Sequence, residues 1–421
     1  MRLAVFSAWW PSPPDNGAKL RARHLIDELA RRHEVRLCSF AEAHEAQPGT
    51  IAELRASCAD VRVVRGNPNK PARPLSWRGY FGSMPRSYAQ TYDAAMAAEM
   101  DAATRQADAI IAFEIGTALY FGGQPGHAPG VPRVFEQAEA TVIRDGPGPR
   151  GDAWGRVRQR AAWHKYGAFM RNLVSAASRT TVVSEQERRC LLDAGCDESR
   201  LAVLPNGVAD ACLDVDELAQ PRTLIYPGSI TYGANLDAVR FFLGDIFPRV
   251  RAARHGVTFT VTGRHEGVAI GRLVQDGVRF AGFVPDIRRA VARSAICVVP
   301  LRQGGGTRLK ILEAMALGTP VVSTSKGAEG LDVRHGEHLL IADDPETFAG
   351  HVTDLIDTPL RARALAANAR RLIAERYTWS RLGLQLEQVL EEAVDVARDE
   401  VRRGGAAARR PAHAGHARHG G

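Results

Sequence analysis

The sequence predicts two α/β domains in tandem, each a doubly wound parallel sheet. Three observations carry this: short β-branched runs alternate with longer amphipathic stretches, the βαβ rhythm comes as two series, and an aperiodic stretch with an Asn-Gly turn divides them. A chain of 421 residues, 45% hydrophobic and 24% charged, exceeds one typical core and suits two.

The first series runs through "LAVFSAW", a helix pattern in "AKLRARHLIDELARRH", then "EVRLCSF", "ADAIIAF", "PRVFEQ" and "RTTVVSE". Its opening apolar run is cut by "PSPP" and lacks a small-residue cleavage site, so it reads as a buried strand and not as a secretory signal. The divider is "LPNGVADACLDVDELAQPR". The second series follows as "TLIYPGS", a helix through "NLDAVRFFLGDIFPRVRAAR", "VTFTVTG", "VRFAGFV", "ICVVP" and "TPVVSTS". The expected organisation is a first domain over 1–204, a linker over 205–222, a second domain over 223–380, a closing helix over 381–397 and a disordered basic tail over 398–421.

The net charge is +8, but the tail holds six Arg against two acids and carries +4 of it. A folded body this mildly basic argues against a nucleic-acid groove as the main function. The six cysteines show no CxxC spacing, and two of them, Cys38 and Cys297, lie within apolar runs, which fits a reducing compartment. No apolar run approaches membrane-spanning length.

The chemistry concentrates in "ICVVPLRQGGGTRLKILEAMALG". A strand ends near Pro300, Gly304, Gly305 and Gly306 form a loop, and Thr307 is a natural N-cap for a helix that Gly318 closes. In such sheets ligands sit at the carboxyl ends of strands, where helix N-termini point free N–H groups. Lys310 and Glu313 share a face near that N-terminus, so a diphosphate can rest on the loop amides, with Lys310 adding charge and Glu313 accepting from ribose hydroxyls. Alone, the same residues also describe an ordinary βα loop with a surface ion pair.

Context decides between them. The stretch through "LEAMALGTPVVSTSKGAEGL" resembles the nucleotide-sugar site of glycosyltransferase family 4. So do "PPDNGAKLRARHLIDELARRHEV", "VVSEQER", "LPNGV", "GSITYGANLDAVRFF" and "FAGFVPDI", in order, over about residues 1 to 390. The resemblance implies the GT-B fold of two facing Rossmann-like domains, the first on the acceptor side and the second holding the nucleotide sugar. It implies a retaining, metal-independent transferase with no cofactor, using a nucleotide-diphosphate sugar donor and a glycan or lipid-linked acceptor. Sugar transferases of bacterial exopolysaccharide and exosortase systems are the members it is most similar to. The expected location is the cytoplasm, with peripheral contact at the inner face of the membrane. By the resemblance Glu313 binds the donor ribose, and Gly327, Ala328 and Glu329 line the diphosphate and base.

Three departures from the family pattern matter. Counting back eight positions from Glu313, where the family carries a second glutamate, reaches Gly305. The family's early cation pair is absent, with Ser229 and Asn235 at or near its place, so other cations must meet the diphosphate. Arg264 and Lys310 are the candidates, Arg308 being expected on the opposite side of the helix as an exposed or ion-paired residue. The family's first-domain histidine corresponds to Ala138, flanked by Glu136 and Glu139, which stand as candidates beside the acceptor or simply as solvated or ion-paired strand-end carboxylates. Gly17 lies between the first strand and helix, a place for close phosphate or acceptor approach or for a plain turn.

The segment over residues 70 to 92 mixes Arg73, Arg78 and Arg86 with Trp77, Tyr80, Phe81 and Tyr88, a composition that suits either a lipid-facing surface or a packed connection. His413, His416 and His419 read as part of a solvated tail. Rival functions of the same fold are a nucleotide-sugar epimerase and a sugar-nucleotide sensor without turnover.

Overall fold

The computed structural model describes residues 1–68, 84–85, 88, 91–121, 130–144, 153–271, 273–304 and 308–408. Its first sheet comprises β1 (Arg2–Ser7), β2 (Glu34–Ala41), β3 (Asp60–Arg65), β4 (Ala109–Phe113), β5 (Arg133–Glu136), β6 (Arg179–Val182) and β7 (Leu201–Val203), in the order β3-β2-β1-β4-β5-β6-β7. The second comprises β8 (Gln220–Pro227), β9 (Thr258–Thr262), β10 (Val278–Gly282), β11 (Ser294–Val299), β12 (Val321–Ser323) and β13 (Leu340–Ile341), in the order β10-β9-β8-β11-β12-β13. Every strand pair is parallel.

Both sheets reverse direction once, between β1 and β4 and between β8 and β11. Connections on either side of such a switch leave towards opposite faces, opening a crevice at the carboxyl edge. The central strands are apolar on both faces: Leu3 and Val5 of β1 pack into one core with Ala109 and Ile111, while Ala4 and Phe6 pack into another with Ile110 and Ala112. Burial on two sides is why these strands read as continuous apolar runs. The strands β3, β7 and β13, which sequence pattern passes over, all lie at sheet edges and are short or half-exposed.

The long helix expected after β8 is interrupted: Gly233–Phe241 passes through a π-helical turn at Phe242–Ile246 before Phe247–Ala253, whose first turn holds Pro248. Proline is accommodated there because its missing N–H falls in a first turn. The expected end of the chain needs correction. The last helix spans Trp379–Ala408, so it exceeds 381–397 at both ends and occupies part of the stretch assigned to a disordered tail. Trp379, Leu382, Leu386 and Leu390 pack in the first-sheet core with Leu3, Val5 and Leu25, and Glu387 pairs with Arg32 at 2.5 Å. Strand β8 also begins at Gln220, inside the expected linker.

Most of the aromatic and basic segment, including Arg73, Trp77, Arg78, Tyr80, Phe81 and Arg86, lies outside the described residues, as do His413, His416 and His419. Among the described residues no helix is long and apolar enough to cross a membrane.

Candidate active site

The carboxyl edges of the two sheets face each other. A Cβ on Gly17, behind β1, would come 3.8 Å from Leu309 Cδ1 on the far side, and one on Gly330 would come 3.4 Å from Ser184, behind β6. Gln186 donates to Glu329 across the same gap at 3.3 Å. Gly17 is therefore at the mouth of the cleft, where a side chain would narrow the space before Leu309.

On the second sheet, the loop after β11 leads into the helix Leu309–Ala316. Gly304 adopts φ +101°, and a Cβ there would sit 3.0 Å from Ala234 in the first turn of the helix Gly233–Phe241, so two helix N-termini converge on the loop. Gly305, Gly306 and Thr307 lie outside the described residues. Lys310 turns back towards β8: its Nζ donates to Tyr226 Oη at 2.7 Å and to Asn235 Oδ1 at 2.9 Å, and lies 4.1 Å from the Tyr226 ring centroid. Asn235 is held in turn by donating to Ser229 O at 2.7 Å. Burial, with Arg308 adding to it, lowers Lys310 to about 7 against the pull of Cys297 and Glu313.

Glu313, one turn along, is half-buried, and none of the described residues donates a hydrogen bond to its carboxylate. Burial raises it to about 6, opposed by Lys310. A desolvated carboxylate with open lone pairs suits a ligand that brings its own donors. Ser229 is half-buried, its Oγ donating to Arg264 O at 2.9 Å. Arg264 is exposed at the carboxyl end of β9, and its guanidinium pairs with no carboxylate among the described residues.

Arg308 takes the ion-paired one of the two states expected of it: it is 6% accessible, donates to Gly304 O at 2.9 Å and Lys326 O at 3.2 Å, and lies 3.6 Å from Glu329. It precedes the helix with φ −85° and ψ 60°, so helical-wheel geometry does not govern where it points. Gly327 and Ala328 are buried and their amides are committed to Thr324 Oγ1 and Thr324 O. A Cβ on Gly327 would meet Ser323 Oγ at 2.2 Å, so this glycine serves close packing of its own turn and not a ligand. Glu329 does reach the cleft, tied to Lys326, Arg308 and Gln186.

On the first sheet, Glu136 is removed as a candidate that touches substrate. It is fully buried with Arg21, whose Nε donates to it at 2.8 Å. Arg21 also donates to Leu204 O, Pro205 O and Asn206 Oδ1 at 2.8, 2.7 and 2.9 Å, anchoring the start of the linker. Glu139 is half-buried and accepts from Gln137 Nε2 at 3.0 Å. Ala138 is completely buried.

The structure adds a residue that sequence reasoning missed. Glu114 directly follows β4, with φ +66°, and Gln137 directly follows β5, with φ +64°. Such non-glycine conformations cost about 1–3 kcal/mol each and persist only where surroundings enforce them. Trp9 Nε1 donates to Glu114 Oε2 at 2.6 Å. Burial, then the charge of Glu139, raise Glu114 to about 8 against that hydrogen bond. The signal in the sequence was an acid closing the fully apolar run "AIIAF" at a sheet's carboxyl edge.

Comparison with known proteins bears on the family and the fold. Residues 15–211 match the model of Glycosyltransferase Family 4, and residues 221–358 match that of Glycosyl transferases group 1. A phosphatidyl-myo-inositol mannosyltransferase of Mycobacterium leprae is 32% identical over 226 residues, 50% of this chain and 58% of that protein. An uncharacterized 44.6 kDa protein in the cps region of Klebsiella pneumoniae is 26% identical over 37% of this chain and 42% of its own. The chain thus spans about half the length of the curated relatives it matches. Among solved structures, Anabaena Alr3699/HepE in complex with UDP superposes with a TM-score of 0.61 at 17% identity, covering 93% of this chain and all of that one. WaaG, a glycosyltransferase of lipopolysaccharide biosynthesis, gives 0.55 at 15% identity over 94% of this chain and 99% of its own. These likenesses show the fold, which is GT-B.

Proposed function

The chain belongs to the family 4, group 1 glycosyltransferases, and from that premise we propose that it transfers a hexosyl group, with retention, from a nucleotide-diphosphate sugar to a glycan or lipid-linked acceptor in surface polysaccharide or glycolipid assembly. The carrying observation is the Glu313 carboxylate, one helical turn from Lys310 and without a hydrogen-bond donor among the described residues. The M. leprae relative, by its name a mannosyltransferase on an inositol lipid, supports a lipid-linked acceptor, and the complex of HepE with UDP supports a nucleoside-diphosphate donor.

In this reading Glu313 accepts from ribose hydroxyls, while Lys310, Arg264 and the helix N-termini face the diphosphate. As the bond from the sugar to the diphosphate breaks, negative charge grows on the leaving group. A helix dipole supplies only about half a charge, so side-chain cations carry the remainder. An anion arriving beside Lys310 draws a proton onto it and strengthens the contact.

A thermal-shift and calorimetric screen of UDP, GDP and ADP with their sugars tests the reading. A ligand at one hundred times its Kd should add about 2.7 kcal/mol of stability. Nucleotide release that depends on an added acceptor supports transfer. The reading fails if no nucleoside diphosphate binds, or if the donor sugar is isomerised without acceptor.

A further inference from the structure

The donor-side chemistry makes no use of Glu114, yet its setting is closely defined. It stands beside the β1–β4 switch, its amide donating to Glu136 O at 2.8 Å and its carbonyl accepting from Ala118 N at 3.0 Å, so the left-handed turn is held from both sides. Trp9, from the loop after β1, fixes the carboxyl through Oε2 at 2.6 Å. No described residue donates to Oε1. On the neighbouring strand Gln137 makes the same left-handed exit and restrains Glu139 at 3.0 Å.

The titratable and charged groups that face Glu114 are Glu139 and Glu136 from the end of β5, Arg21 from the helix Gly17–Ala30, and Tyr88. Arg21 is engaged by Glu136, so burial and negative charge dominate at Glu114. With Oε2 accepting from Trp9, the acid proton belongs on Oε1, the oxygen left open. A carboxylic acid kept neutral near pH 7 is a hydrogen-bond donor, whereas a carboxylate only accepts.

We propose that Glu114 is the acceptor-side hydrogen-bond donor of the cleft: its neutral carboxyl group, aimed by Trp9, gives its O–H to an oxygen of a hydroxyl-bearing acceptor, a sugar or polyol. The assignment rests on the transfer reading above and adds the side of the reaction that Lys310 and Glu313 do not serve. Glu114 here is a positioning residue that takes no proton from the acceptor.

The test compares the wild-type chain with Glu114→Gln and Glu114→Ala. In ¹³C NMR of glutamate-labelled protein, which needs no turnover, the carboxyl signal absent from Glu114→Gln should titrate near pH 8. Titration in the ordinary range of about 4 to 5 overturns the proposal. Transfer from UDP-glucose and GDP-mannose to methyl α-D-mannopyranoside and myo-inositol is measured alongside UDP and GDP affinity, which reports an intact fold and donor side. Glu114→Ala should raise the acceptor KM about tenfold at unchanged nucleotide affinity, and Glu114→Gln, which keeps a donor, should recover it to within about threefold. Wild-type acceptor KM should climb as pH rises through 8 while that of Glu114→Gln stays level. If Glu114→Gln is as impaired as Glu114→Ala, the group acts as a base and the proposal is wrong; if both match wild type, it has no role. Failure of the wild type to bind either nucleotide removes the transfer reading and this proposal together, whereas nucleotide binding with an unaltered acceptor KM in Glu114→Ala removes this one alone.

Discussion

Arg21 and Lys310 occupy comparable places, early in the helices that follow β1 and β11 at the two switch points, and their fates differ. Arg21 finds a carboxylate, Glu136, and both are 0% accessible. Lys310 finds only the neutral oxygens of Tyr226 and Asn235, and burial brings it to about 7. One cation is cancelled inside the protein and works as a strut; the other, on the proposed reading, answers an anion from outside. On that reading burial alone does not separate a structural charge from a functional one. The partner does.

The largest effect expected from this contrast is on stability. Arg21→Ala strands Glu136 in the core and frees the carbonyls of Leu204 and Pro205, so it should cost about 3–5 kcal/mol. Lys310→Met breaks hydrogen bonds to two neutral oxygens and no hydrogen-bonded ion pair, so it should cost less. Urea unfolding of both variants measures the difference, and equal losses would erase the distinction.

The order reverses for catalysis. Lys310→Ala and Arg264→Ala should each lower turnover about a hundredfold or more, the scale for one transition-state charge partner. Arg308→Ala acts differently because Arg308 ties the glycine loop to Lys326 O, so it should weaken nucleotide binding by loosening both segments. Steady-state kinetics beside calorimetry separates these cases. Unchanged turnover in Lys310→Ala would place the leaving group elsewhere.

Glu313 sharpens the contrast most finely. Glu313→Ala should lose about 1.5–3 kcal/mol of nucleotide affinity, the range for hydrogen bonds to a charged group. The pH dependence follows with its sign. A bound diphosphate raises the Lys310 pKa, so that part of the affinity is complete below about 7 and is lost as pH rises towards the value in the complex. Ribose donors lower the Glu313 pKa, so its part is complete above about 6 and is lost as pH falls. Affinity should therefore peak between about 6 and 7, and calorimetry across pH 5 to 9 on wild type and Glu313→Gln should show the acid limb flattening only in the variant.

Much of this was legible in the chain, for local reasons. The apolar runs "AIIAF" and "ICVVP" are strands buried on both faces, and the glycine loop leading to Lys310 and Glu313 is read from spacing within a few residues. The edge strands β3, β7 and β13 were illegible because short or half-exposed pairs need little apolar pattern. Arg308 was expected exposed or ion-paired, but its partner Glu329 was not legible, because Arg308 stands one residue before the helix begins and a helical wheel does not aim it.

Periodicity, turn residues and charge spacing act over a few residues, so the sequence by itself determined two doubly wound halves. Long-range pairing belongs to the tertiary structure alone. Glu136 lies 115 residues from Arg21, and nothing local distinguishes its strand-end carboxylate from Glu139, yet one is sealed in the core and the other is only half-buried. The helix Trp379–Ala408 likewise has an amphipathic pattern that does not say which sheet will cover it, and it returns to the first. The apolar stripe demands burial without naming the surface that provides it; chain connectivity and the shape of the finished domains choose that surface.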